Sequence, residues 1–217
     1  MIKVNNIYYS YGNLEVLKGV SLSINKGEFV SIVGASGAGK TTLLQLLGGL
    51  DKIQQGSIEI NRKQLNKLSE NELSKFRNKE IGFIFQFHNL LLEFTALENI
   101  FLPSLLSGIS RKESEKRAVE LLKILSLKNR MHHKPDELSG GEQQRVAVAR
   151  ALINSPSIIL ADEPSGNLDS KNAQELHELL LKLNNEIGQT IVVITHNHEL
   201  ANLADSTLEI AIYSMLL

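Results

Sequence analysis

The segment GASGAGKT, residues 34–41, restricts the fold of this chain more than any other stretch of its sequence. It matches the pattern G-x-x-x-x-G-K-[ST], in which a glycine-rich loop wraps phosphate groups with backbone amides. The β-like run EFVSIVG leads into the loop, and the apolar helical run TTLLQLLGGL follows it. This order of strand, loop and helix predicts a nucleotide-phosphate site and makes a chance glycine-rich turn a poor alternative.

The same segment suggests roles for its side chains. Lys40 is expected to reach the β- and γ-phosphate oxygens, and the hydroxyl of Thr41 is expected to bind Mg²⁺. The residues predicted to surround the nucleotide here are Gly34, Ala35, Ser36, Gly37, Ala38, Gly39, Lys40, Thr41 and Thr42.

The order of apolar patterns along the chain predicts the fold class. Short β-like runs dominate up to about residue 60, helical patterns follow, and strands alternate with helices again after residue 151. Serine or threonine with glutamate three residues later opens candidate helices at Ser69, Thr95 and Ser110. Alternating strands and helices indicate an α/β fold with a largely parallel, doubly wound sheet, into which the helical middle is inserted.

Charge and composition argue against nucleic-acid binding and against insertion into a membrane. The 217 residues contain 23 Lys and Arg against 24 Asp and Glu, and no dense basic run indicates nucleic-acid binding. The absence of cysteine fits a reducing compartment. Since neither a signal-peptide layout nor an apolar run of about 20 residues is present, we expect a cytosolic protein that meets a membrane only through a partner.

Two adjacent acids end the apolar run SIILADEP at residues 157–164. Asp162 is placed to hold the metal, and Glu163 to orient a water beside the γ-phosphate and take its proton. His196 follows the strand TIVVIT, where an imidazole could donate to a γ-phosphate oxygen. Gln86 also stands at a strand end, but spacing alone leaves open whether it reaches the metal or the γ-phosphate.

The segment LSGGEQQRVAVAR, residues 138–150, has the composition of a helix start that holds an anion. Ser139 and Glu142 fit a capping box, and Gly140 and Gly141 leave backbone amides uncovered. Because no lysine accompanies these glycines, we expect half of an anion site, completed from elsewhere. An ordinary capped surface helix would explain Ser139 and Glu142 but not the glycine pair.

In this order, the phosphate loop, LSGGEQQR and LADEPSGNLD resemble the ATP-binding subunit of ABC transporters, over essentially the whole chain to about residue 210. The resemblance implies a P-loop NTPase core with a mostly parallel sheet, an N-terminal antiparallel β subdomain and an inserted α-helical subdomain near residues 87–137. All of these belong to one nucleotide-binding domain covering residues 1–217. ATP and Mg²⁺ are the implied ligands, and ATP hydrolysis coupled to transport is the implied activity.

The resemblance also implies a partner for the half-site. In that family two copies pack head to tail around two ATP molecules, so the helix start would face the γ-phosphate held by the other copy. The residues implied to contact ATP across this dimer are Ser139, Gly140, Gly141, Glu142 and Asp169.

Within one copy, Tyr11 resembles the aromatic residue that stacks on adenine, with Tyr8 and Tyr9 as competing candidates. Gln86 resembles the residue that touches the metal and reports to the membrane partner, and His196 resembles the switch histidine. The implied metal ligands are Thr41, Gln86 and Asp162, and the implied catalytic residues are Lys40, Glu163 and His196.

The chain departs from the family pattern in three places. Ser165 replaces a usual threonine but keeps the hydroxyl, and Asn197 replaces a common aspartate after the histidine. The end STLEIAIYSMLL lacks the usual aspartate-glycine hairpin. Its last part, residues 211–217, is too short to cross a membrane and either packs on the sheet edge or is an altered terminus.

The apolar stretch FQFHNLLLEFTALENI, residues 85–100, is the expected docking region for transmembrane permease subunits. Its large side chains could line a groove for a helix of a membrane protein or fill the helical subdomain's core, and they are Phe87, Leu90, Leu91, Leu92 and Phe94. Together with LLGGLD, this sequence resembles the ABC subunits of the lipoprotein-releasing group of bacterial envelopes. The macrolide-efflux and cell-division groups are the alternatives. The implied location is peripheral, on the cytoplasmic side of the inner membrane.

Two other classes of function are weaker. A soluble ABC ATPase of DNA repair or translation is disfavoured by the single phosphate loop and by the lack of cysteine and of a basic stripe. A nucleotide-binding regulator without turnover is disfavoured because both Glu163 and His196 are present.

Overall fold

The computed structural model describes residues 1–210, so the predictions for residues 211–217 lie outside the described residues. The N-terminal part forms a four-stranded antiparallel sheet in the order β2-β1-β4-β5. Its strands are β1 (Ile2–Tyr11), β2 (Leu14–Ile24), β4 (Gln55–Ile60) and β5 (Lys63–Gln64). Ile2 pairs with Ile24 on one side and Ile60 on the other, and all three side chains are buried.

The second sheet has five strands, all parallel, in the order β6-β7-β8-β3-β9. These strands are β3 (Phe29–Val33), β6 (Ile81–Phe85), β7 (Ile158–Asp162), β8 (Thr190–Ile194) and β9 (Ser206–Glu209). The central strands β7 and β8 are almost continuously buried, as expected for a parallel sheet covered on both faces. This architecture confirms the predicted α/β class with a mostly parallel core.

The register of the parallel strands brings their carboxyl ends to one edge. Phe85 pairs with Asp162, Asp162 pairs with Ile194, and Ile194 pairs with Ile32. The phosphate loop, Gln86, Glu163 and His196 follow these strands and therefore project from the same edge. Open parallel sheets bind their ligands at this edge.

The helices begin largely where the capping patterns predicted. They are α1 (Lys40–Leu47), α2 (Glu70–Glu80), α3 (Ala96–Leu106), α4 (Arg111–Ile124), α5 (Gly140–Leu152), α6 (Ser170–Ile187) and α7 (His198–Asn202). Ser69 and Thr95 form complete capping boxes at α2 and α3, and the Ser110 hydroxyl accepts the Glu113 amide at α4. The capping predictions for these three helices are confirmed.

Residues 87–137, the predicted insertion, contain α3 and α4 and contribute no strand to the two sheets of residues 1–210. Both helices pack on α5 around a separate hydrophobic cluster that includes Ile100, Leu122 and Val146. Helix α5 also reaches the main core through Val148. It therefore joins the helical insertion to the parallel sheet. None of the helices between residues 1 and 210 is both long and apolar enough to cross a bilayer.

Candidate nucleotide site

A cleft of about 620 Å³ opens at the carboxyl edge of the parallel sheet. It collects most of the residues predicted to act within one copy. The cleft is lined by Tyr11, Leu14, Val16, Ser36, Gly37, Gly39, Lys40, Thr41, Thr42, Gln86, Asp162, Glu163, Ile194 and His196. Side chains from both sheets thus converge on the space beside the phosphate loop.

The phosphate loop depends on backbone conformations that favour glycine. Gly34, Gly37 and Gly39 have φ angles of 150°, 79° and 89°, where other residues are strained. A Cβ on Gly39 would also stand 2.7 Å from Leu17 Cδ2, because the loop packs directly on β2. Gly39 precedes α1 without a side-chain cap, so the first-turn amides of that helix remain available to an anion.

Lys40 is the cation of this loop and is only 7% exposed. Its Nζ donates to the carbonyl oxygens of Gly34 at 2.8 Å and Ala35 at 2.9 Å. These two bonds use two of the three N–H donors of a buried ammonium group and hold it across the loop. The charge is therefore positioned by the backbone, facing the cleft.

Asp162 lies beside Lys40 and Thr41 at the end of β7. Burial raises the pKa of its carboxyl group, while the hydrogen-bonded Thr41 hydroxyl and the charge of Lys40 act in the opposite direction. No group of three or more His, Asp or Glu that could hold a metal occurs within residues 1–210. Mg²⁺ commonly binds through one or two protein carboxylates, with water and substrate phosphate oxygens as its other ligands.

Glu163 is held by the strand next to its own. Its amide donates to the Ile194 carbonyl at 2.9 Å, and its φ of 44° turns the side chain into the cleft. Glu163 Oε2 accepts the His196 amide at 3.2 Å, and Oε1 lies 3.6 Å from His196 Nε2. The buried Oε1 has no hydrogen-bond partner in the described part of the chain. One carboxylate oxygen thus accepts a hydrogen bond, whereas the other faces the His196 ring without a hydrogen bond.

Gln86 is connected to a residue that the sequence patterns did not indicate. Its Nε2 donates to Asn167 Oδ1 at 3.2 Å, and Asn167 Nδ2 donates to the Gln86 carbonyl at 3.1 Å. A Cβ on Gly166 would approach Gln86 Nε2 to 2.9 Å, so the two loops are in contact. In the sequence, Asn167 is marked only by the turn-like segment SGNLD, because its partner Gln86 lies 81 residues away.

The structure separates the three candidate tyrosines. Tyr11 is 50% exposed and lines the cleft, whereas Tyr9 is 8% exposed and packs edge-on against it at 5.0 Å. Tyr8 lies against Gly19 and does not line the cleft. Tyr11 is therefore the one of the three whose ring is available to a ligand there.

The residues predicted to act in trans form a second group outside this cleft. Ser139 and Glu142 make a complete capping box at the start of α5, and Asp169 caps α6 through the Asn172 amide at 2.9 Å. Gly141 is buried because its α-carbon faces the Asn172 side chain, which leaves no room for a Cβ. The two helix starts therefore pack together, while Gly140 and Asp169 remain exposed beside the Ser139 cap.

Two departures from the family pattern have local explanations. The Ser165 hydroxyl bonds to His177 Nε2 at 3.0 Å, in a buried position. Asn197 caps α7 by accepting the Leu200 amide at 3.0 Å. Both side chains thus stabilise the loops that carry the site.

Comparisons with known proteins show the family of this chain. Residues 17–166 match the family described as ABC transporter. The lipoprotein-releasing system ATP-binding protein LolD of Bacteroides thetaiotaomicron is 57% identical over 207 residues, 95% of either chain. LolD of Aquifex aeolicus is 50% identical over 209 residues, 96% of this chain and 93% of the relative.

Solved structures give the same result. The ATP-binding cassette MJ0796, in a dimeric post-hydrolysis state bound to ADP and Pi, superposes with a TM-score of 0.88 at 44% identity. That match covers 99% of this chain and 97% of the other. A second dimeric structure of MJ0796, a bacterial ABC transporter cassette, has a TM-score of 0.87 at 45% identity. The chain belongs to the ABC transporter family, as an ATP-binding subunit homologous to LolD.

Proposed function

We propose that this chain is the ATP-hydrolysing subunit of a bacterial ABC transporter that releases lipoproteins from the inner membrane. One observation carries the hydrolytic part: the buried Glu163 Oε1 has no described hydrogen-bond partner, in a cleft that also contains Lys40. Buried polar atoms in proteins are nearly always hydrogen-bonded, so a carboxylate oxygen without a hydrogen bond in a phosphate site is suited to accept a proton from water. The lipoprotein part rests on the relatives named LolD.

The nucleotide would bind along the whole cleft. Amides of the phosphate loop and the Lys40 ammonium would hold the phosphates, and Tyr11 would stack on the adenine. Oxygen atoms of Thr41, Gln86 and Asp162 are the candidate ligands for Mg²⁺, a cation that prefers oxygen and uses few protein carboxylates. When bound, Mg²⁺ would neutralise the charge of the phosphate oxygens.

In hydrolysis, the two oxygen atoms of the Glu163 carboxylate would have different roles. The His196 amide fixes Oε2, and Oε1 takes the proton of the water that attacks the γ-phosphorus. The bond from that phosphorus to the ADP oxygen breaks, and ADP keeps the bonding electron pair. Lys40 stabilises the charge on the phosphate oxygens, and the His196 ring would donate to one of them.

A second copy of the chain would complete the site. The helix start at Ser139 and Gly140 carries first-turn amides and the positive end of the helix dipole, but no lysine. Packed head to tail, each copy would present this helix start and Asp169 to the ATP of the other. The dimeric cassette structures of MJ0796 support the formation of a dimer.

The membrane partner would dock on the apolar loop after β6. Phe87 is 73% exposed and Leu92 is 70% exposed, and Leu91 and Phe94 are exposed beside them. Such a group of large apolar side chains is unusual on a free surface and suits a helix of a permease. The chain would therefore lie peripherally on the cytoplasmic side of the inner membrane.

Glu163→Gln tests the hydrolytic part. Phosphate release in Mg-ATP is expected to fall about 10²- to 10⁴-fold, because the amide cannot accept the proton, while ATP binding is retained. Glu178→Gln, on the exposed face of α6, is the matched control and should keep full activity. Hydrolysis by Glu163→Gln at the wild-type rate would refute the assignment of the base.

The docking part is tested by purifying tagged Glu163→Gln protein from native membranes in Mg-ATP and identifying the proteins that copurify. Permeases with large extracytoplasmic domains together with a lipoprotein are expected. Leu92→Glu should abolish their capture, whereas Ile187→Glu, a similarly exposed apolar position at the end of α6, should not. Capture of an efflux-type or division-type permease would support the transporter assignment but contradict lipoprotein release. Capture of no membrane protein would contradict the transporter assignment itself.

A further inference from the structure

Arg150 is a cation in the last turn of α5, and its side chain is partly buried. No Asp or Glu within residues 1–210 forms an ion pair with it. Its Nη2 donates to the His88 carbonyl at 2.6 Å, and its Nη1 donates to the Asn89 carbonyl at 2.5 Å. Removing a charge from water without a counter-charge is costly. In residues 1–210, the Arg150 charge is stabilised by this pair of backbone acceptors and by the negative end of the helix dipole.

The two carbonyls belong to a strained turn. His88 and Asn89 have φ angles of 59° and 49°, in the left-handed region that side chains other than glycine rarely adopt. The Arg150 fork fits two successive carbonyls, a geometry that a single ammonium group cannot match. The turn is therefore stabilised by a contact with helix α5.

This turn connects two surfaces that the proposed function requires. Gln86, two residues before His88, lines the nucleotide cleft and is hydrogen-bonded to Asn167. Phe87 and Leu91, on either side of the turn, belong to the exposed apolar group. The turn thus lies between the nucleotide cleft and the exposed apolar group, and it is bonded to α5 through Arg150.

We propose that Arg150 is a positioning residue, which holds the turn at His88 and Asn89 against α5 and thereby sets the place of Gln86 in the nucleotide cleft. The inference rests on the proposed function, because Gln86 affects turnover only if the cleft hydrolyses ATP.

A double-mutant cycle on the full-length protein tests this role. Arg150→Lys keeps the charge but loses the fork, so kcat for ATP should fall about tenfold while KM for ATP stays within about twofold. If Arg150 acts through Gln86, then Arg150→Lys combined with Gln86→Ala should turn over no more slowly than Gln86→Ala alone. Arg145→Lys on the same helix, where the side chain pairs with Glu175 at 3.1 Å, is the matched control and should change neither constant.

Hydrogen exchange separates positioning from a general loss of structure. In Arg150→Lys, exchange should rise for amides of residues 87–91 while α5 keeps its protection and the melting temperature stays close to that of Arg145→Lys. Loss of protection along all of α5, an unchanged kcat, or additive effects in the cycle would each overturn the positioning role and leave the proposed function standing. Wild-type protein without any ATP hydrolysis would overturn both.

Discussion

Two glycine-rich segments of this chain are proposed to bind phosphate, and they use glycine for different physical reasons. In the phosphate loop, Gly37 has a φ of 79° and no atom within 4 Å of a Cβ built on it. At the start of α5, Gly141 lies inside a helix and has an ordinary φ, but a Cβ there would run into the Asn172 side chain. The first glycine is required by backbone conformation and the second by close approach.

The difference extends to how each segment is supported. The phosphate loop is held by its own lysine and by neighbouring β2, and its shape follows from its local sequence. The start of α5 is held by distant groups: Gln144 donates to the Pro164 carbonyl at 2.7 Å, and His177 fixes Ser165 in the same loop. A self-contained loop can be recognised as a motif, whereas a helix start of this kind acquires its surroundings only in the fold.

Substitution of the two glycines should separate these reasons most clearly. Gly141→Ala forces Asn172 aside and with it the capped start of α6, so ATP turnover should fall about a hundredfold. Adding Asn172→Ala removes the clashing atoms and should restore most of the activity. Turnover measured by phosphate release gives both values.

Gly37→Ala is the matched substitution in the phosphate loop. It should cost about 1–2 kcal/mol of backbone strain, seen in a thermal melt, and no neighbouring substitution should relieve it, because no side chain is in contact. Rescue of Gly37→Ala by a nearby truncation, or failure of Asn172→Ala to rescue Gly141→Ala, would contradict the distinction.

The capping serine of α5, Ser139, should affect both stability and ATP turnover, whereas a capping serine elsewhere should affect stability alone. Ser139→Ala and Ser69→Ala each remove the hydroxyl of a complete capping box, so each should lower the free energy of unfolding by about 1 kcal/mol. Only Ser139→Ala should also lower ATP turnover, by about tenfold, since its hydroxyl and helix start would face the phosphate in the dimer. Equal ATPase rates for the two variants at saturating ATP would count against the trans site.

The smallest effect concerns the loop that supports the start of α5. Burial lowers the pKa of His177, and the opposing charge of Glu199 is the weaker influence. The unfolded chain therefore binds more protons, so this group's contribution to stability is present above about pH 6.5 and is lost as the pH falls below it.

His177→Gln keeps a group that can hydrogen-bond to Ser165 but cannot titrate. Denaturant unfolding between about pH 5.5 and 7.5 should therefore show a smaller pH dependence for this variant than for the wild type. An equal slope in wild type and His177→Gln would show that the folded structure leaves the titration of this histidine unaltered.

The sequence alone determined the parts of this protein that depend on neighbouring residues. The strands, the capped starts of α2, α3 and α5, and the phosphate loop follow from periodicity, capping chemistry and backbone conformation within a few residues. Parallel strands end at one edge, so the positions of Asp162, Glu163 and His196 directly after apolar β-runs were enough to predict that they meet.

The tertiary structure alone decided which distant residues support that edge. Tyr11 was one of three candidate tyrosines, and only the fold shows that Tyr9 is buried and that Tyr8 lies away from the cleft. Asn167 meets Gln86 across 81 positions, and Arg150 meets His88 across 62, with no local pattern in either segment. Contacts of this kind are set by how helices pack on the sheet, which depends on the whole core and leaves no mark at the spacing of a single motif.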